Sequence, residues 1–183
     1  QRPLVVALPE TLDQVQADLA GASTGGKVAV LRLDASLPDE TLLRWVARLQ
    51  RDHNEQTKTR DKAMLATEPG VQRAELPQLK TTTPRATEVF GIPLPQRGYH
   101  VVEVESRILG QALLASRAPM YARTGALVTN LGVHFKRGRS SSLVWVTSLD
   151  RGRPVAGARV AVNDCRGKPL WNGSTGADGV VRI

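Results

Sequence analysis

Toward its C-terminal end the chain alternates short apolar stretches with clusters of turn residues. Leu143-Val144-Trp145-Val146-Thr147 has the β-branched and aromatic content of a strand, as do Arg159-Val160-Ala161-Val162 and Gly179-Val180-Val181-Arg182-Ile183. Between them lie Asp150-Arg151-Gly152-Arg153-Pro154, Asp164-Cys165-Arg166-Gly167 and Ala177-Asp178-Gly179. In such clusters Gly supplies a positive φ and Asp bonds to its own turn. The pattern predicts antiparallel strands near 126–136, 142–149, 158–164, 169–173 and 179–183. A β-sandwich commonly has about seven strands in about 100 residues. With five strands in view, the expectation is a sandwich truncated at its C-terminal end, with apolar inner faces left uncovered and prone to self-association.

The first part of the chain has a different texture. Residues 3–8 read as a short strand, and 27–33 (KVAVLRL) as a strong one. Residues 11–19 fit either a helical face through Leu12, Val15 and Leu19 or strand alternation. A helix is predicted near 37–51, with Ser36 as N-cap, Pro38 in the first turn and Asp39 following. Leu42, Leu43, Val46 and Leu49 make its apolar stripe, with Trp45 at the edge and Arg44, Arg48 and Arg51 facing away. The stripe predicts burial of Leu42, Val46 and Leu49 against the helix's own sheet. Residues 52–62 read as a polar loop or frayed helix end, and 72–76 as a short edge strand. Residues 88–94 and 99–106 are expected to pair as strands across Pro93, Pro95 and Gly98. The domain boundary is expected in 115–119, dividing the chain into 1–117 and 118–183.

The second part resembles the macroglobulin-like domains in the N-terminal half of bacterial alpha-2-macroglobulins. The residues that carry this are Leu127-Val128-Thr129-Asn130-Leu131-Gly132-Val133 leading to Lys136-Arg137-Gly138, then Leu143 to Leu149. Gly152-Arg153-Pro154-Val155-Ala156-Gly157-Ala158 and Ser174-Thr175-Gly176-Ala177-Asp178-Gly179 follow. The match is strong over about a third of the chain and weaker over 87–114. The resemblance implies a mainly β chain of antiparallel, macroglobulin-like and fibronectin-III-like sandwich modules, the first with an inserted helix. It also tips 11–19 toward strand. Members of the family trap proteases: a bait segment is cleaved, the molecule rearranges, and in many a Cys-Glu-Gln thioester becomes reactive. Neither bait nor thioester is identifiable. Asn54-Glu55-Gln56 has no preceding cysteine, and Cys165 is followed by Arg166-Gly167. What the resemblance implies here is a scaffold fragment. Its partners would be proteases, through the parent protein, and neighbouring macroglobulin-like domains. The parent would be periplasmic and attached to the inner membrane through a lipid outside this sequence. The rival readings are a module of a bacterial surface adhesin and an accessory domain of a secreted enzyme.

Charge changes this picture little. The formal net charge is +8, but Lys and Arg are dispersed in short turn-like clusters and aromatics make up only 4% of residues. A nucleic-acid interface interleaves the two, so no nucleic-acid partner is expected. No apolar run reaches the roughly 20 residues of a membrane helix. The single cysteine, Cys165, reads as a buried spectator or as one half of a bridge to a residue elsewhere. His53, His100 and His134 lack metal-ligand spacing. Gly21-Ala22-Ser23-Thr24-Gly25-Gly26 lacks the Lys-Ser/Thr of a phosphate loop and leads into a strand. Asp34, Asp39 and Glu40 are explained by the helix start. Ser140-Ser141-Ser142 reads as a hairpin tip, and Trp145 and Trp171 as sheet-face aromatics. No catalytic, cofactor-binding or metal residues are expected, and no enzyme activity.

Overall fold

The computed structural model describes residues 26–54, 56–76 and 91–183. The expectations for 3–8, 11–19, most of the glycine-rich turn before Gly26, and 88–90 lie outside the described residues. The chain forms two compact units. One runs up to Ser36 and from Trp45 to Leu127; the other holds Leu37–Arg44 and Val128–Ile183. Strand Met120–Val128 thus belongs almost wholly to the first unit, beyond the boundary expected at 117/118.

The first unit is built on a four-stranded sheet of order β2-β1-β3-β4, with β1 at Lys27–Leu33, β2 at Gln72–Glu75, β3 at Gly98–Ser106 and β4 at Met120–Val128. β1 pairs antiparallel with both β2 and β3. Its alternation feeds two apolar layers, because the sheet is covered on both faces. Val28, Val30, Val102 and Val104 point one way and meet Leu76, Ile92 and Leu94. Leu31, Leu33, Val101 and Tyr99 point the other way and meet Trp45, Leu49, Met64 and Leu65. Residues 91–95 are not a strand. The expected partner of β3 is therefore wrong: β3 pairs with β1 over seven positions, while Ile92 packs as a plug from an irregular segment held by Pro93 and Pro95.

The helix α1 spans Asp39–Asn54, so Ser36 lies before it. Asp34 Oδ1 accepts hydrogen bonds from the backbone N–H and hydroxyl of Ser36, forming a local turn instead of a cap. Its buried stripe is rotated from the expected one. Trp45 is buried and Leu49 partly so, while Leu42 and Val46 are exposed. Trp45, Leu49 and Asp52 follow at helical spacing, and the large indole sets the centre of the face. A four-residue helix α2, Gln56–Thr59, follows. A third helix, α3 at Arg107–Leu113, was not expected; Ser106 Oγ caps it by accepting from Leu109 N at 3.2 Å. Leu109 and Met120 form their own small core with Ala112, Leu113 and Leu114.

The second unit has a three-stranded sheet of order β5-β6-β9 and a two-stranded sheet β7-β8, all antiparallel. The strands are β5 Leu131–Arg137, β6 Ser142–Ser148, β7 Arg159–Asn163, β8 Pro169–Ser174 and β9 Val180–Arg182. The first expected strand, 126–136, is broken at Thr129-Asn130, and its beginning belongs to β4. The turns behave as the sequence implies: Gly152, Gly167 and Gly179 have φ of 64°, 87° and 73°. Asp164 Oδ1 accepts from Arg166 N and Lys168 N, and Asp178 Oδ1 from Val180 N. The chain is mainly β, in antiparallel sheets, with helices inserted in the first part.

Candidate functional site

The described histidines do not converge. His100 is buried, with Nε2 2.9 Å from the Gln96 carbonyl oxygen. His134 lies against Trp145 at a ring-centroid distance of 5.3 Å, and His53 is at the end of α1. No group of three or more His, Cys, Asp or Glu that could hold a metal exists among the described residues. Cys165 is exposed in the β7–β8 turn, which corrects the expectation of burial: the turn lifts its side chain off the sheet. No helix among the described residues is long and apolar enough to cross a membrane.

The densest polar chemistry lies in the first unit, beside α1. Glu103 occupies an inward position of β3, opposite the small Ala29 of β1. Its carboxylate accepts from Met64 N at 2.6 Å and Leu65 N at 3.2 Å. Arg123 of β4 donates through Nε to Glu103 at 2.8 Å and through Nη1 to Asp52 of α1 at 2.9 Å. Both its terminal nitrogens also reach the Thr59 carbonyl at 3.3 Å. The side chains of Arg123, Glu103 and Asp52 are 3%, 4% and 11% exposed. Arg73 on β2 donates to the carbonyls of Leu65 and Ala66, and Arg48 to that of Met64. Four charged residues thus fasten one loop, 64–66, and the α2 terminus to the sheet and to α1. Burial raises the Tyr99 phenol above its ordinary pKa; at Tyr121 burial does so first, followed by the negative charges of Glu105 and Glu103.

An open pocket of about 210 Å³ lies over this clasp, lined by Arg48, Arg51, Asp52, Lys62 and Met64 among others. Arg48 is stacked 4.7 Å over Trp45 and paired with Glu68 at 2.9 Å. None of this assembles a nucleophile, a base and an oxyanion donor set. The glutamate and arginine escaped the sequence reading because Val-Val-Glu-Val-Glu looks like a strand with one solvated face. The usable signal was an arginine in the following strand, twenty residues on.

In the second unit the notable feature is apolar. Leu131, Val133 and Phe135 share one face of β5, opposite Ser148, Val146 and Val144 of β6. Val146 and Val144 are 2% and 3% exposed, whereas Val133 and Phe135 are 63% and 56% exposed. The Thr175 hydroxyl accepts from Ala158 N at 2.9 Å and donates to the Val155 carbonyl at 2.6 Å. The Gly-Ala and Ser-Thr-Gly-Ala-Asp-Gly segments quoted above are therefore joined by one buried side chain.

Residues 128–183 match the family model of the bacterial alpha-2-macroglobulin MG3 domain. Over that stretch the chain is similar to a macroglobulin domain of bacterial alpha-2-macroglobulins. The limits of this MG3 match coincide with the long segment of the second compact unit. Two solved chains from Escherichia coli share the fold. One is native alpha-2-macroglobulin spanning domains NIE-MG1, with a TM-score of 0.58 and 16% identity, covering 87% of this chain and 73% of that one. The other spans MG0-NIE-MG1, with a TM-score of 0.55, 18% identity, and 87% and 48% covered. The chain thus spans about half of that longer macroglobulin fragment. No curated protein matches it.

Proposed function

We propose that this chain is scaffold from the N-terminal half of a bacterial alpha-2-macroglobulin-like protease trap. Its modules hold the bait and trapping machinery at fixed separations and carry no catalysis of their own. The observation that carries the reading is the MG3 match over residues 128–183. The position and chemistry of the polar residues agree with it: Glu103, Arg123 and Thr175 are spent on fastening backbone segments. The partners are proteases, met by the parent protein, and adjoining macroglobulin-like domains. The location is the periplasm, with the parent held at the inner membrane by a lipid. The test is protease capture by the parent protein. Intact parent forms a complex in which the protease still cleaves small peptides but not large proteins. Replacing residues 128–183 by an unrelated sandwich abolishes capture. Capture that survives the replacement, or turnover by the 183-residue chain that depends on one named residue, overturns the reading.

A further inference from the structure

We propose that the pocket beside the C-terminal half of α1 docks a carboxylate of an acidic protein segment. The inference is independent of the trapping role. Four cations line the pocket: Arg48, Arg51, Lys62 and Arg123. Two of them are already neutralised, Arg48 by Glu68 and Arg123 by Glu103 and Asp52. The side chains of Arg51 and Lys62 are exposed and make no hydrogen bond or ion pair with the described residues. Four cations face three carboxylates, Glu68, Glu103 and Asp52, so one net positive charge remains, and it is presented outward by Arg51 and Lys62. Its floor is rigid, because Arg123 is held by Glu103, Asp52 and the Thr59 carbonyl. A preformed site loses less ordering entropy on binding than a mobile one.

The dimensions choose the ligand class. At about 210 Å³ the pocket is smaller than the roughly 300–1,000 Å³ of sites for drug-sized molecules. It takes one short carboxylate-bearing side chain, with the rest of the segment on the surface. A guanidinium and an ammonium suit a carboxylate through charge-assisted hydrogen bonds. Nucleic acid is disfavoured because the nearby aromatic ring, Trp45, is buried beneath Arg48 and offers no face for a base to stack on.

The experiment is a titration of the 183-residue chain with a fluorescent Glu-rich peptide, a Gln-for-Glu peptide and phosphate. Variants Arg51→Glu with Lys62→Glu are compared with Arg137→Glu with Arg139→Glu, which make the same charge change in the second unit. The Glu peptide is expected to bind at low salt and to lose at least tenfold affinity in the first pair but not in the second. Binding should vanish once the Debye length falls to about 3 Å. All four sites are exposed, and circular dichroism checks that the variants fold. Equal losses in both pairs would show attraction to net charge alone and overturn the proposal. So would competition by phosphate as effective as by the Glu peptide, or no binding at low salt.

Discussion

Arg123→Ala tests whether the buried clasp holds the first unit together. The substitution removes donors to Glu103 at 2.8 Å, Asp52 at 2.9 Å and the Thr59 carbonyl at 3.3 Å. Glu103 keeps the two backbone N–H groups of Met64 and Leu65, but its charge is left without a cation in a site where its side chain is 4% exposed. Removing one partner of a buried pair costs about 3–5 kcal/mol, because the other charge stays buried and unpaired. The exposed pair Arg48–Glu68, at a similar distance of 2.9 Å, supplies the control. Breaking a pair in solvent costs about 0–1 kcal/mol, so Glu68→Gln should lie in that range. Denaturant titration followed by hydrogen exchange at β3 amides separates the first unit from the second. A second variant, Arg123→Met with Glu103→Gln and Asp52→Asn, removes every charge of the clasp and should recover part of the loss. If Arg123→Ala costs no more than Glu68→Gln, the clasp contributes nothing and the assignment of its role is wrong.

Three further outcomes are expected. Gly179→Ala should destabilise the second unit by about 1–2 kcal/mol from the left-handed backbone alone, and by more because the new Cβ would stand 2.5 Å from the Val146 carbonyl; thermal melting of the variant with unchanged stability refutes this. Tyr99 and Tyr121, the two tyrosines of the chain, both have pKa values raised above the usual 10.0. The folded state then holds the phenolic proton more tightly than the unfolded one. Stability from this source is complete below pH 10 and is lost as pH rises through the folded-state values; a phenolate absorbance midpoint at or below 10 in folded protein contradicts it. Finally, Val133→Thr with Phe135→Ser should reduce concentration-dependent self-association seen by light scattering, since these residues leave an apolar strip in water. Residues 128–183 carry nine Lys and Arg against three Asp, so raising salt should strengthen association of the parent chain by screening that repulsion.

The second unit was more legible in the sequence than the first. Its turns are written in residues with a backbone reason to be there: Gly at positive φ, and Asp164 and Asp178 bonding to the N–H groups two residues on. Such signals are local and need no tertiary knowledge. In the first unit the deciding terms are long-range. The sheet is covered on both faces, so alternation along β3 says nothing about solvent, and Glu103 could not be told from Glu105 by pattern. The rotation of α1 depends on a tryptophan finding Leu65 and Val101. Leu42 and Leu43 cannot reveal that from their own spacing. The helix α3 had a usable cap at Ser106 and apolar Ile108, Leu109, Ala112 and Leu113 at helical spacing, but it lies in the stretch of weaker family resemblance, directly after a strong strand signal that ends at Ser106.

The distribution of polar groups bears on what such a chain can do. A catalytic side chain has to present a free atom to a substrate. Among the described residues four buried polar side chains face the backbone instead, although His100 Nδ1 is left without a hydrogen-bond partner. Glu103 serves two N–H groups of one loop, Arg123 a carbonyl at the end of α2, Thr175 an N–H and a carbonyl between segments of the second unit, and His100 a carbonyl four residues before it. Each such bond satisfies a backbone group that a sheet or helix leaves over, which is what irregular connections between strands require. The side chains of Arg51 and Lys62, which have no partner among the described residues, are by contrast on the outside. This separation, with polar chemistry inside for architecture and unpaired charge outside for contact, is the arrangement a module needs if its work is to hold neighbours in place.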